Sequence, residues 1–150
     1  MFIAEEICQK LRENGKKVTP QRRLIYKALE GKTTHPTAED IYNEVRAVIP
    51  DISLATVYKT LRELVESSFL LEIQVDGDCS RFDPRTDAHS HLKCIGFKVG
   101  IDGEYLACGR LEDISTIYPN LQISADELHG YKLIGNEVMF LGYCPDCQSR

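Results

Sequence analysis

Three of the four histidines and two aspartates are spaced so that they could gather on a single metal ion. His89-Ser90-His91 is an H-x-H step, Asp83 lies six residues before it and Asp102 eleven after it, and His35 stands far upstream in His35-Pro36-Thr37-Ala38. Residues two apart on a strand project from one face, so one cation can take both imidazoles of the step. Neutral imidazoles mixed with carboxylates suit borderline first-row ions such as Fe(II), Mn(II) or Zn(II). An H-x-H pair alone is common on surface strands; the added His35 and aspartates give it weight. The fourth histidine, His129, lies far from this set in the chain and reads as a surface residue.

Six cysteines form a second chemical resource. No stretch of about 18 apolar residues exists to span a membrane, and the opening Met1-Phe2-Ile3-Ala4-Glu5-Glu6 lacks the charge pattern of a secretory signal. The expected location is cytoplasmic, where thiols stay reduced, so the cysteines read as metal ligands, buried residues or redox sensors rather than a disulfide framework. Cys8 and Cys79 read as packing residues.

The elements that must position these groups divide the chain into two expected domains, 1–84 and 85–150. Ile3, Ile7 and Leu11 mark a first helix ending at Gly15. Thr19-Pro20 opens a second, Thr37-Ala38-Glu39-Asp40 resembles a capping box for a third, and Ser53 caps a fourth over roughly 54–67. Leu54, Val57, Leu61 and Leu64 give that fourth helix its apolar stripe, leaving Thr56, Lys59, Thr60 and Glu63 on the far face. Leu70–Val75 and Cys79–Phe82 read as two strands about an Asp76-Gly77-Asp78 turn. Helices followed by a tight hairpin make a winged helix-turn-helix pattern. After a polar hinge at 84–88 the expectation is strands at His89–Ile95 and Glu104–Ala107, a short helix within Leu111–Tyr118, another near Ala125–His129, and strands at Tyr131–Ile134 and Val138–Leu141. The fold class is therefore α+β, with a winged-helix domain and a small C-terminal α/β domain that completes its core by pairing with a second copy.

The net charge of −5 hides a local excess: Lys10, Arg12, Lys16, Lys17, Arg22, Arg23 and Lys27 face one acid, Glu13, between positions 10 and 27. Such a cluster can neutralise several phosphates, although a solvated helix face has the same composition. An acidic whole with a basic patch should bind random DNA weakly, which suits a specific operator.

Six segments in order resemble the ferric uptake regulator family of metal-responsive bacterial repressors: Val18-Thr19-Pro20-Gln21-Arg22, His35 through Tyr42, Ser53 through Leu61, Ser80-Arg81-Phe82-Asp83, His89-Ser90-His91, and Gly142-Tyr143-Cys144-Pro145-Asp146-Cys147. The resemblance implies a homodimer with two DNA-binding domains, a dimerisation domain, and one regulatory divalent metal per subunit at their junction. Its ligands would be His35, Asp83, His89, His91 and Asp102, holding Fe(II) or Mn(II), with Zn(II) possible in vitro. The fourth helix would enter the major groove of double-stranded operator DNA, with Thr56, Tyr58, Lys59 and Arg62 as contacts and Lys17 near the backbone or minor groove. Two aspartates, where supply-sensing members usually carry glutamate, resemble the peroxide-sensing branch. There, Fe(II) and hydrogen peroxide oxidise a liganding histidine, here His89 or His35. The alternative within the family senses iron, manganese or zinc supply by reversible binding.

Many members also hold a structural Zn(II) with two C-x-x-C pairs. Cys144-Pro145-Asp146-Cys147 is intact, but Phe97 stands where Cys94 needs its partner. Three matched thiolates are one short of a closed tetrahedral site, so structural Zn(II) is disfavoured unless the strand carrying Cys108 runs close by. Without zinc the dimer would rest on residues such as Leu133, Val138, Phe140 and Leu141. An enzyme is not expected: a metallohydrolase would need an open metal position and a general base, and no H-E-x-x-H occurs. A thiol redox or metal-buffering protein centred on Cys144 and Cys147 is the remaining alternative.

Overall fold

The computed structural model describes residues 2–75, 79–119 and 121–149. The chain divides into two compact units, residues 1–87 and 88–150.

The first unit carries α1 (Ala4–Glu13), α2 (Pro20–Leu29), α3 (Ala38–Arg46) and α4 (Leu54–Glu66), then the antiparallel pair β1 (Leu71–Gln74) and β2 (Ser80–Asp83). Its helix starts follow from local chemistry. Thr19 accepts from the Arg22 N–H with Pro20 behind it, Thr37 and Asp40 close a reciprocal capping box, and Ser53 accepts from the Thr56 N–H. Each satisfies backbone donors that the first helical turn leaves without a partner. Ile7 and Leu11 of α1, Ile25 and Leu29 of α2, Ile41 of α3, and Val57, Leu61 and Leu64 of α4 close the core with Leu70 and Phe82. Thr60 departs from the expected pattern. It is buried, not on the solvent face, and its hydroxyl donates to the Thr56 carbonyl at 2.8 Å, which removes the cost of enclosing it. Cys8 is fully buried, whereas Cys79 is exposed rather than packed. The expected turn at 76–78 lies outside the described residues.

In the second unit β3 (Ser90–Cys94) is the central strand of three. It pairs antiparallel with β6 (Leu111–Ile114) and parallel with β7 (Met139–Gly142). A separate hairpin, β4 (Phe97–Val99) with β5 (Tyr105–Ala107), sits between β3 and β6 in the chain, and a short α5 (Pro145–Gln148) closes it. Two expectations fail here. The segment read as a helix within Leu111–Tyr118 begins with strand β6: Leu111 is buried, Glu112 is exposed, and β3 takes up its backbone groups. Four residues are too few for periodicity to separate helix from strand. Tyr131–Ile134 forms no strand; its side chains are exposed and its backbone irregular. β4 and α5 were not anticipated. A single 3-10 turn, Ala125–Glu127, occupies the place of the second short helix. Among the described residues no helix is long and apolar enough to cross a membrane.

Candidate metal centres and nucleic-acid interface

In the first unit, His35 precedes α3 in a left-handed conformation, φ 52°. Such a backbone costs a non-glycine residue about 1–3 kcal/mol and persists where its surroundings enforce it. The enforcement comes from β2: the Phe82 N–H donates to the Pro36 carbonyl at 2.9 Å, and Arg81 Nη1 donates to the His35 carbonyl at 3.2 Å. The result aims His35 Nε2 at Asp83 Oδ2, 3.3 Å away, with the two side chains only 1% and 2% exposed. The Arg85 N–H holds the other carboxylate oxygen at 2.9 Å.

In the second unit, His91 on β3 stands opposite Asp113 on β6. Asp113 Oδ1 lies 3.2 Å from His91 Nε2 and 3.2 Å from His89 Nε2, and the two imidazole centres are 4.6 Å apart. Neighbouring ligands around a six-coordinate ion with bonds of about 2.1 Å stand about 3.0 Å apart, close to the two separations between Asp113 and the imidazoles. Asp102, the expected carboxylate, is elsewhere. It occupies the exposed turn between β4 and β5, where its N–H donates to Glu104 Oε2 at 3.0 Å. Asp113 stands beside the imidazoles where Asp102 was expected. His129 is exposed, as expected.

The thiols supply a second centre. One Sγ from each of Cys94, Cys108, Cys144 and Cys147 lies within 4.8 Å of all the others, with Cys108 and Cys144 at 3.9 Å. A tetrahedron of Zn–S bonds about 2.3 Å long has edges of about 3.8 Å, close to the Cys108–Cys144 separation. Cys94 Sγ accepts from the N–H of Gly96 at 3.4 Å and of Cys144 at 3.2 Å. Burial works against a Cys94 thiolate, but those donors and the adjacent thiols of Cys144 and Cys147 bring it down to about 6. Cys147 is pushed up to about 12, first by burial and then by its hydrogen bonds to Cys94, Cys144 and Cys108. Gly96 permits this closeness: a Cβ there would stand 2.7 Å from Cys147 Cβ and 2.8 Å from its Sγ. Phe97, which occupies the expected cysteine position, has an exposed side chain, and its carbonyl accepts from Cys147 Sγ at 3.8 Å.

Both displaced positions have one cause. The β4–β5 hairpin lies between Cys94 and Cys108, so a pair expected in C-x-x-C spacing is separated by residues 95–107. Five positions separate Phe97 from Asp102, and five separate Cys108 from Asp113. Moving both positions past the hairpin restores thiolate and carboxylate together. The repeated offset was a signal available in the sequence.

On α4, Tyr58, Lys59 and Arg62 are exposed, whereas Thr56 is half-buried with its hydroxyl 2.8 Å from that of Ser53. At 40% exposed, Tyr58 is not a core aromatic. Its hydroxyl donates to Glu39 Oε1 at 2.8 Å, and this bond, with lesser help from burial and the Glu39 charge, raises its pKa. Lys17 is exposed in the loop between α1 and α2.

The ferric uptake regulator family model matches residues 13–100. The peroxide operon regulator of Bacillus subtilis is 33% identical over 150 residues, 97% of this chain and 94% of the relative. The peroxide-responsive repressor PerR of Staphylococcus saprophyticus is 32% identical over 149 residues, 97% and 92% of the two chains. Among solved structures, the Helicobacter pylori ferric uptake regulator Fur shares the fold at a TM-score of 0.69 with 20% identity, covering 96% of this chain and 90% of that one. PerR from Streptococcus pyogenes, described as a peroxide sensor and gene regulator, aligns at 0.52 with 28% identity over 99% and 95%. A family model over more than half the chain and relatives above 30% identity along nearly all of it lead to one conclusion: the chain belongs to the ferric uptake regulator family.

Proposed function

We propose that this protein is a homodimeric, metal-dependent repressor of transcription that senses hydrogen peroxide. The observation that carries the proposal is the pair of donor clusters, one in each unit: His35 with Asp83, and His89 and His91 with Asp113. Together the two clusters offer five imidazole and carboxylate donors, the types that suit Fe(II) or Mn(II). A cation drawing on both clusters fixes one unit against the other. In a dimer that angle sets the separation of the two α4 helices, and operator half-sites demand a separation of about one helical turn. Metal occupancy thereby governs DNA affinity.

The carboxylate that replaces Asp102 is again an aspartate, so the features favouring the peroxide-sensing reading over a supply sensor survive the change of residue. A bound Fe(II) would activate the peroxide O–O bond; in the net reaction one peroxide oxygen would be inserted into a ring C–H of His89 or His35, which is oxidised by two electrons, and the other would leave as water. An oxidised ring is a poorer ligand, and the repressor leaves its operator. The Cys94, Cys108, Cys144 and Cys147 set fits a closed structural Zn(II) site. β7 is an edge strand with Phe140 and Leu141 exposed, a surface suited to a second copy of the chain.

The test uses a duplex enriched from a random-sequence pool by the Mn(II)-loaded protein. Metal-dependent retardation of that duplex is expected. Peroxide treatment of the Fe(II) form should abolish it and add one oxygen to the His89 or His35 peptide by mass spectrometry. Unmodified histidines with unchanged DNA affinity would favour the supply-sensing alternative, and metal-independent affinity would exclude both.

A further inference from the structure

We propose that Arg22 is a positioning residue for DNA binding, locking the lysine-bearing loop between α1 and α2 to the recognition helix α4. The inference rests on the reading of Lys17 and α4 as DNA contacts. Arg22 is the third residue of α2, and its N–H is already held by the Thr19 cap at 3.2 Å. Its guanidinium is therefore placed beside the helix start, where it divides between two elements. Nη1 donates to the Lys17 carbonyl at 2.7 Å, while Nη2 lies 3.0 Å from each oxygen of Glu63 on α4.

The two anchors answer a specific difficulty. The loop reaches Lys17 through Gly15, whose φ of 73° marks a left-handed bend. Val18, beside Lys17, packs against the core, but the Lys17 side chain is exposed, and the Arg22 bond to its carbonyl adds a direct link from that residue toward α4. Glu63 raises a second difficulty, since it follows Arg62 directly and lies one turn from Lys59, the two bases expected to meet DNA. An uncompensated carboxylate there would repel phosphate. Arg22 neutralises it with a planar fork that suits a carboxylate and a carbonyl at once, which a lysine ammonium cannot reproduce. The Arg22 side chain is 17% exposed and that of Glu63 30%, so the contact is partly shielded from solvent. A strap that only joined α2 to α4 would need Glu63; it would not need the Lys17 carbonyl.

The distinguishing experiment is a double-mutant cycle in the full chain loaded with Mn(II), using the enriched duplex described above. In the parent protein Lys17→Ala should weaken binding and lower the slope of log K against log salt by about 0.9, the loss of one phosphate contact. In an Arg22→Gln background, Lys17→Ala should cost less than about twofold and leave the slope unchanged, because the lysine is no longer held in place. Glu63→Ala, which frees the α4 anchor and keeps the Arg22–Lys17 bond, should likewise shrink the Lys17→Ala effect, and it carries the test should Arg22→Gln fail to fold. An equal loss for Lys17→Ala in every background would overturn this inference alone. No loss in the parent protein would overturn both it and the assignment of Lys17 to DNA.

Discussion

His91 and Asp113 face each other across β3 and β6, with Nε2 and Oδ1 3.2 Å apart. Their opposition is fixed by strand register, so the carboxylate is held by the sheet rather than by a loop. Rigid strands position ligands more accurately than turns do, and Asp102, on an exposed turn, has no such support.

The first prediction follows directly. Asp113→Ala should weaken Mn(II) binding at least about tenfold, the loss typical even of residues that merely support a ligand. Asp102→Ala should leave it within about twofold. Isothermal titration of the two variants separates them, and the reverse ranking would return the site to Asp102.

The second concerns the thiols. Structural zinc sites contribute folding free energy of about 10–16 kcal/mol in small peptides. Cys108→Ser should abolish stoichiometric zinc after mild chelation and lower Tm by about 10 °C or more. Phe97→Ala should retain the metal. Gly96→Ala should also lose it, since the new methyl group would meet Cys147 at 2.7 Å. Metal analysis of the purified proteins, with thermal melts, reads all three.

Much of the first unit was legible from the chain alone. Thr19-Pro20, the Thr37 and Asp40 box and Ser53 mark helix starts through bonds made within three residues, so their meaning is local. Thr60 was misjudged because a hydroxyl that donates to the carbonyl four residues back can be buried without penalty, and periodicity does not reveal that bond. The second unit was harder to read for two physical reasons. β4 is three residues long, too short for alternation to be diagnostic, and β6 has one buried residue in four rather than an alternating pattern. The β4–β5 hairpin separates groups that the fold brings together, so the chain alone left Cys108 only as a conditional fourth thiol and pointed to Asp102 instead of Asp113. His35, His89 and His91 all precede the hairpin, so their spacing is unaffected by it.

A third prediction addresses pH. The Glu39 bond makes the folded protein hold the Tyr58 proton more tightly than an unfolded chain does. The stabilisation is therefore complete below the unfolded value near 10 and is lost as pH rises through the higher folded value. Glu39→Gln should bring the Tyr58 titration down toward about 10. Carbon-13 tyrosine spectra, with the signal assigned by Tyr58→Phe, check this; an unmoved midpoint would show that Glu39 does not hold the phenol.

Whether one cation draws ligands from both units, as proposed, is tested most directly by Mn(II) affinity, read by electron paramagnetic resonance, in His35→Ala and His91→Ala. His35 belongs to the first unit and His91 to the second. Both variants should bind Mn(II) at least about tenfold more weakly than the parent chain. Parental affinity in His35→Ala, with affinity lost only in His91→Ala, would place the ion wholly within the second unit and contradict the proposed coupling.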